Sequence, residues 1–362
     1  MNKLVFILPG IEGGGAEKFV LNLYKAMELN KGYECHVVSL SRKTSHALDP
    51  GIRVHYVDDA EGVSKKGFKR YSYRRVIARI VDDYIDNFIG KNCVVLSNMM
   101  HADKVMSLSR HRVVHIIHSA YSQSLLGGLP FYRQFFIKKN INKVYSHHPM
   151  IFVSNGALES FCASFSTDVK KYVIHNPVDE QELRALADSE SAELQDDYII
   201  HVGRFNRQKR HDRLLEAFAK LKTDINLVLL GEGKLEPEIR AMVDELGLTR
   251  RVVFMGFQQN PYPFIKRAKA LVLPSDVEGL STVLQEAICL GTPVIATDCP
   301  GGMREIVPAD SPSLVPLDDI NRIAAAIDES VVNPQKYITS LDKKFNSQFI
   351  ADQYDQLLRT FF

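Results

Sequence analysis

Short apolar runs alternate with helical stretches along the chain, and that rhythm restricts the fold more than any other feature. Leu4–Leu8, Cys35–Leu40, Ile52–Val57, Cys93–Ser97, Val113–His118 and Met150–Ser154 are too short for helices and, apart from the alternating IRVHYV, are mainly apolar. Strands covered on both faces have that pattern. Between them run a helix from Ala16 and a long helix reaching Phe88. A second series follows from Tyr198, with YIIHVG, NLVLLGEGK, VVFMGFQQNPYPF, Ala270–Pro274 and Pro293–Thr297 as strands and their exits. Strand–helix–strand repetition implies α/β architecture with doubly wound parallel sheets. At 362 residues the chain is long for one such domain, and two are expected. The boundary is placed in HNPVDEQEL, where Asn176-Pro177 breaks a strand and an acidic stretch begins. The expected parts are residues 1–177, residues 178–345 and a terminal helix over 346–362. That last segment has Phe349, Ile350, Tyr354, Leu357, Leu358 and Phe361 at helical spacing.

Composition excludes several classes. No apolar run approaches the roughly 18 residues of a membrane span. LVFIL is cut short by Pro9-Gly10 and reads as a first strand rather than a signal peptide, so a cytoplasmic chain is expected. Cys35, Cys93, Cys162, Cys289 and Cys299 are odd in number and form no C-x-x-C pair, which argues against disulfides or structural zinc and for buried thiols. Net charge is only +2, yet residues 1–178 carry 24 Lys+Arg against 14 Asp+Glu, and the remainder 21 against 29. Much of the excess lies in KKGFKRYSYRRVIAR, where Lys65, Lys66, Lys69, Arg70, Arg74, Arg75 and Arg79 precede or share a helix with Ile77, Ile80, Val81, Tyr84 and Phe88. A second patch sets Arg133, Lys138, Lys139 and Lys143 beside Phe131, Phe135 and Phe136. Such surfaces suit peripheral contact with an anionic membrane. The plain alternative is a solvated helix face over ordinary core. Nucleic acid is disfavoured, because no recognised binding motif accompanies the charge.

The chemistry concentrates in Ala270–Gly302, ALVLPSDVEGLSTVLQEAICLGTPVIATDCPGG. Glu278 falls in the loop leaving a strand, and Glu286 lies in the second turn of a helix over Ser281–Leu290, at the edge of its apolar arc. Gly279, Leu280, Ser281 and Thr282 form the helix entry, whose backbone donors and dipole favour a phosphate. Taken singly, each glutamate is explained as a loop or helix-edge charge. Earlier in the same half, HVGRFNRQKRHD puts Arg204 and Lys209 between a strand and a helix, where two fixed cations can neutralise a diphosphate without a metal. A solvated basic loop is the plain alternative there.

Together, Glu278 and Glu286 with the glycine and hydroxyl residues between them resemble the E-x7-E signature of family 4 retaining glycosyltransferases, and ATDCPGGMREI resembles the segment that closes that site in bacterial members. The resemblance covers nearly the whole chain, strongest from Val202 to Ile306 and weakest between Val57 and Lys143. It implies the GT-B fold: two Rossmann-like domains facing a cleft, an acceptor-binding one and a nucleotide-sugar-binding one, with the last helix crossing back onto the first. It further implies that Arg204 and Lys209 grip the donor pyrophosphate and that Glu278 holds the sugar hydroxyls. Glu286 would take the ribose hydroxyls, and the backbone around Phe257 and strand-end glycines such as Gly231 would meet the nucleotide.

Two places in the first half gain weight from the same resemblance. In PGIEGGGAE, Gly14, Gly15 and Glu17 resemble the family's G-G-A-E loop near donor phosphate and acceptor; read alone, a glycine cluster equally serves a plain strand–helix turn. His118 ends a strand where family members carry a histidine that hydrogen-bonds the transferred sugar. His115, three residues before it, points to the opposite strand face, so the two make a poor metal pair. Asn98 and Ser154 end other strands, with only their position to recommend them. The implied activity is retaining transfer of a hexose or N-acetylhexosamine from a nucleotide sugar, expected to be UDP-linked, to a glycan or glycolipid acceptor in surface polysaccharide or lipopolysaccharide synthesis. Glu278, His118, Arg204 and Lys209 would be its catalytic residues. No cofactor is expected, and with no D-x-D motif no metal. The expected place is the cytoplasm, with peripheral contact at the inner membrane. A nucleotide-sugar epimerase of the same architecture, an NAD(P)-binding oxidoreductase and a noncatalytic binding module are the alternatives; PGIEGGGAE lacks the G-x-G-x-x-G spacing of the oxidoreductase.

Overall fold

A computed structural model describes residues 2–42, 49–57, 69–189, 194 and 196–362, with backbone only at 69–72. It divides into two compact units, Met1–Pro177 with Lys344–Phe362, and Val178–Lys343. The first unit runs β1 (Lys3–Leu8), α1 (Gly15–Lys31), β2 (Glu34–Ser39), β3 (Val54–Tyr56), α2 (Lys69–Tyr84), β4 (Cys93–Asn98), α3 (Met99–Met106), β5 (Arg112–Ile117), α4 (Tyr121–Leu126), α5 (Phe131–Val144), β6 (Met150–Phe152), α6 (Asn155–Ser164) and β7 (Lys171–Val173). Among the described residues its sheet has the order β3-β2-β1-β4-β5-β6-β7, and the pairings are parallel.

The second unit comprises α7 (Glu180–Ala187), β8 (Tyr198–Val202), α8 (His211–Phe218), β9 (Asn226–Leu230), α9 (Glu236–Glu245), β10 (Val252–Gly256), α10 (Tyr262–Arg267), β11 (Ala270–Leu273), α11 (Thr282–Cys289), β12 (Val294–Thr297), α12 (Met303–Ile306), β13 (Leu314–Val315) and α13 (Ile320–Val332). Its sheet order is β10-β9-β8-β11-β12-β13, again parallel. Each sheet has a switch point, where successive strands are added on opposite sides: between β1 and β4 in the first unit, and between β8 and β11 in the second. Loops leaving the carboxyl ends of those strands diverge and open a crevice for ligand.

The apolar runs form strands because both faces are covered. Val5, Ile7, Val38, Cys93 and Val95 pack with Ile77, Ala78, Val81 and Ile85 on one side of the first sheet. The apolar stripe of α2 is therefore core, and of the apolar residues expected to share the basic surface only Phe88 is strongly exposed. Lys65 and Lys66 lie outside the described residues, as do the side chains of Lys69 and Arg70. In the second unit Ile199, Leu227, Leu229, Val272 and Ile295 pack with Leu214, Phe218, Ile323 and Ile327. The terminal helix α14 (Ser347–Leu358) buries Ile350, Ala351, Tyr354 and Leu358 and packs on α1, while Phe349 stays exposed. Tyr33 donates to Asp355 at 3.0 Å, and Lys31 pairs with Asp352. Four cysteines are buried as expected; Cys162 is exposed, because it faces away from the side of α6 that buries Ala157 and Phe161. Among the described residues no helix is long and apolar enough to cross a membrane.

Candidate active site

In the second unit the loops after β8 and β11 are laced together. The amide of Asp276 donates to the Gln208 carbonyl at 2.9 Å, and Gln208 Nε2 donates to the Val277 carbonyl at 2.6 Å. Arg210 Nη1 donates to Asp276 Oδ1 at 2.9 Å, and the buried Arg213 reaches the same oxygen at 2.8 Å while donating to the Pro274 carbonyl. Arg210 has φ +50°, a left-handed conformation that is strained for a non-glycine residue and is held here by its two carboxylate partners, Asp212 and Asp276. This lacing delivers Lys209 Nζ to within 2.6 Å of Glu278 Oε1. Both side chains are largely buried, so a short charge-assisted bond sits at the switch point with little water to screen it. Asn206 fixes the turn before Lys209 by accepting its amide at 3.1 Å, and Arg204 stands exposed where the chain leaves β8.

Glycines set how close these loops come. Gly301, at φ +119°, lies so near the Glu278 carbonyl that a Cβ would fall 1.5 Å from it. The Glu278 amide donates to the Pro300 carbonyl at 3.1 Å, and the Gly302 amide to the Gly279 carbonyl at 2.8 Å. The CPGG segment thus presses on the backbone that carries Glu278. Gly231, at φ +132°, stands against the Gly203 carbonyl, where a Cβ would fall at 2.1 Å. Its amide bonds Gly256, just before the partly exposed Phe257.

The helix entry differs in one respect from the open end expected of it: Ser281 Oγ accepts the Leu284 amide at 3.4 Å, so one of its donors is capped. Leu280 is buried, and Thr282 begins α11 half-buried. Glu286 sits deeper than an arc-edge position implies, because Leu284 to Cys289 are all buried. Tyr262 donates its hydroxyl to Glu286 Oε1 at 3.3 Å.

In the first unit the glycine loop after β1 is folded on its own carboxylate. The buried Glu17 accepts the amides of Glu12 at 3.0 Å and Gly14 at 2.5 Å, the reach-back half of a capping box. The amides of Glu12 and Gly14 are thus held by the Glu17 carboxylate. Gly13 turns the loop at φ +79°, Gly14 caps α1 and Gly15 opens it.

His118 follows β5, with Phe19 edge-on at 4.8 Å. Asn98 Nδ2 donates to the Leu96 carbonyl, which leaves Asn98 Oδ1 to accept from His118 Nε2 at 3.0 Å. The proton is thereby fixed on Nε2, and Nδ1 is the acceptor. Burial pushes the imidazole down to about 3, so it is neutral at ordinary pH. Asn98 ends β4 at an elbow whose next residue, Met99, has φ +70°. Ser154 caps α6, accepting from the Ala157 amide. His115 turns inward to the buried Asp103, which also receives Ser97 and Tyr145 hydroxyls.

The sequence of residues 184–347 matches the model of the glycosyl transferases group 1 family. Residues 184–347 belong to the group 1 glycosyl transferases. A Campylobacter jejuni relative named N-acetylgalactosamine-N,N'-diacetylbacillosaminyl-diphospho-undecaprenol 4-alpha-N-acetylgalactosaminyltransferase is 28% identical over 316 residues, 84% of this chain and 83% of its own. Sucrose-phosphate synthase from Thermosynechococcus elongatus superposes with a TM-score of 0.78 at 21% identity, covering 100% of this chain and 99% of that chain. Anabaena HepE, solved with UDP and glucose, gives 0.71 at 17% identity, covering 100% and 99%. At such identities these structures speak for the fold, which is GT-B.

Proposed function

We propose that this glycosyltransferase moves a hexose or N-acetylhexosamine from a nucleotide sugar, UDP-linked, to a glycan or lipid-linked acceptor in surface polysaccharide synthesis, with retention of anomeric configuration and without a metal. The observation that carries the reading is the Lys209–Glu278 pair at the β8/β11 switch point, beside the entry of α11. When the anomeric C–O bond breaks, negative charge grows on the departing phosphate and positive charge on the sugar ring. Lys209, Arg204 and the N-terminal dipole of α11 stabilise the first, and fixed charges in a site poor in water stabilise it more than solvent does. Glu278 holds sugar hydroxyls and, through its bond to Lys209, keeps that ammonium in place. Glu286, oriented by Tyr262, receives the ribose. His118 Nδ1 accepts from a hydroxyl of the transferred sugar. The departing phosphate assists removal of the acceptor proton on the same face, so no covalent enzyme intermediate is needed. The Campylobacter relative's lipid diphosphate acceptor and the UDP held by Anabaena HepE support the choice of substrates.

The test is incubation with a panel of nucleotide sugars and acceptors without added metal, followed by NMR of the product's anomeric carbon. A single productive donor with retained configuration agrees with the reading. An inverted product, or an epimerised donor formed without acceptor, contradicts it.

A further inference from the structure

The two basic stretches of the first unit have opposite fates. Helix α2 spends its apolar stripe on the core, whereas α5 carries a second apolar face that nothing among the described residues covers. Ile141 and Val144 of α5 are buried with Ile117, Tyr121 and Phe152, and Tyr145 anchors its end on Asp103. The opposite side presents Phe131, Tyr132, Phe135 and Phe136 at 84%, 59%, 56% and 67% exposure. At 100° per residue these rings occupy one continuous arc over the first turn and a half, Lys139 and Lys143 continue that arc, and Arg133 and Lys138 flank it. FYRQFFIKKNINKV contains no acidic residue. An exposed cluster of this size costs solubility unless it meets a partner. Three of the four rings are phenylalanines, with no polar edge to pair with a base or a peptide.

We propose that the outer face of α5 docks the protein on an anionic lipid bilayer, its aromatic rings entering the interfacial layer while the four cations stay among the phosphates. Apolar insertion and charge attraction supply the two signals that stable peripheral binding needs. The helix is held from behind by core packing, so the face is presented without refolding. The inference is independent of which sugar the enzyme transfers.

The chain contains no tryptophan, so Phe136→Trp places a single reporter on this face. Its emission is expected to shift to the blue with phosphatidylcholine vesicles containing about 30% phosphatidylglycerol, and not with phosphatidylcholine alone. In vesicle sedimentation the wild type should bind the anionic vesicles and be released by high salt. Phe135→Ser with Phe136→Ser should lower partitioning about tenfold at every salt concentration, and Lys139→Gln with Lys143→Gln about tenfold at low salt only. Melting temperatures should stay near that of wild type, because these side chains are exposed. Transfer to a soluble acceptor should persist in both variants, which separates this inference from the proposed activity. The proposal is overturned if the wild type ignores anionic vesicles, if neither double variant weakens binding, or if the aromatic variant abolishes a dimer seen by light scattering. Tighter binding to single-stranded nucleic acid than to vesicles would overturn it as well.

Discussion

The two sheets share one plan, yet their switch points carry different chemistry. At the β8/β11 end, loops held by Gln208, Asp276 and Arg210 set a lysine against a glutamate at 2.6 Å. At the β1/β4 end, the glycine loop closes on its own Glu17, and the neighbouring polar group is a neutral histidine whose tautomer is set by Asn98. The same backbone geometry thus holds a charged pair between two loops in one unit and, in the other, a carboxylate folded on its own loop beside an uncharged histidine. Fold alone would not have distinguished them; the side chains do.

The contrast breaks most sharply at the charged end. Glu278→Gln and Lys209→Ala should each lower kcat by about 10²–10³, and the double variant should lose little more, because the two act as a unit. Independent, additive losses would show that the pair is coincidental. Gly301→Ala should cost about 2–4 kcal/mol in urea denaturation, since its Cβ would meet the Glu278 carbonyl. Gly13→Ala, whose positive φ is the strain to overcome, should cost about 1–2 kcal/mol.

Glu17→Gln in the first unit should cost about 1–2 kcal/mol by weakening the bonds to the Glu12 and Gly14 amides, with donor affinity nearly unchanged. A large loss of donor affinity would mean that the loop binds the nucleotide directly.

The histidines give a prediction in pH. Burial holds His118 at about 3 and His148 and His211 at about 4, and pushes His201 well below its ordinary value. The unfolded chain titrates near 6.5. Above that value neither state is protonated and stability is at its full value; as pH falls from about 6.5 toward 4, the unfolded state takes up protons that the native state refuses, so stability declines. The melting temperature should drop across that window. Asn98→Asp should raise the His118 value by placing a carboxylate on Nε2 and move the acid limb of the activity profile upward, whereas an unmoved limb would remove His118 from the activity.

Much of this was legible in the sequence because buried parallel strands announce themselves as short apolar runs, and because Glu278, Arg204 and Lys209 stand at recognisable strand exits, with Glu286 on the helix that follows one of them. What was not legible depends on partners distant in sequence. Asn98 carries no motif, and its relation to His118 exists only through the β4/β5 register. The hold of Gln208 on Val277 spans 69 residues. Gly301 reads as an ordinary turn glycine until the Glu278 carbonyl is found beside it. The fold-back of Glu17 has capping-box spacing, but a glycine stands where a serine or threonine would have advertised it. Helices α2 and α5 look alike in charge and apolar content, and only packing shows which face of each is spent.

The most direct test of the central claim is donor binding itself, measured as the thermal shift that UDP and UDP-sugars produce in the wild type and in Lys209→Ala, without metal. A concentration-dependent rise in the wild type, reduced by about 1.5–3 kcal/mol of binding free energy in the variant, is the predicted result. Equal shifts in both proteins would contradict the account, because the diphosphate would then be held elsewhere than at the β8/β11 switch point.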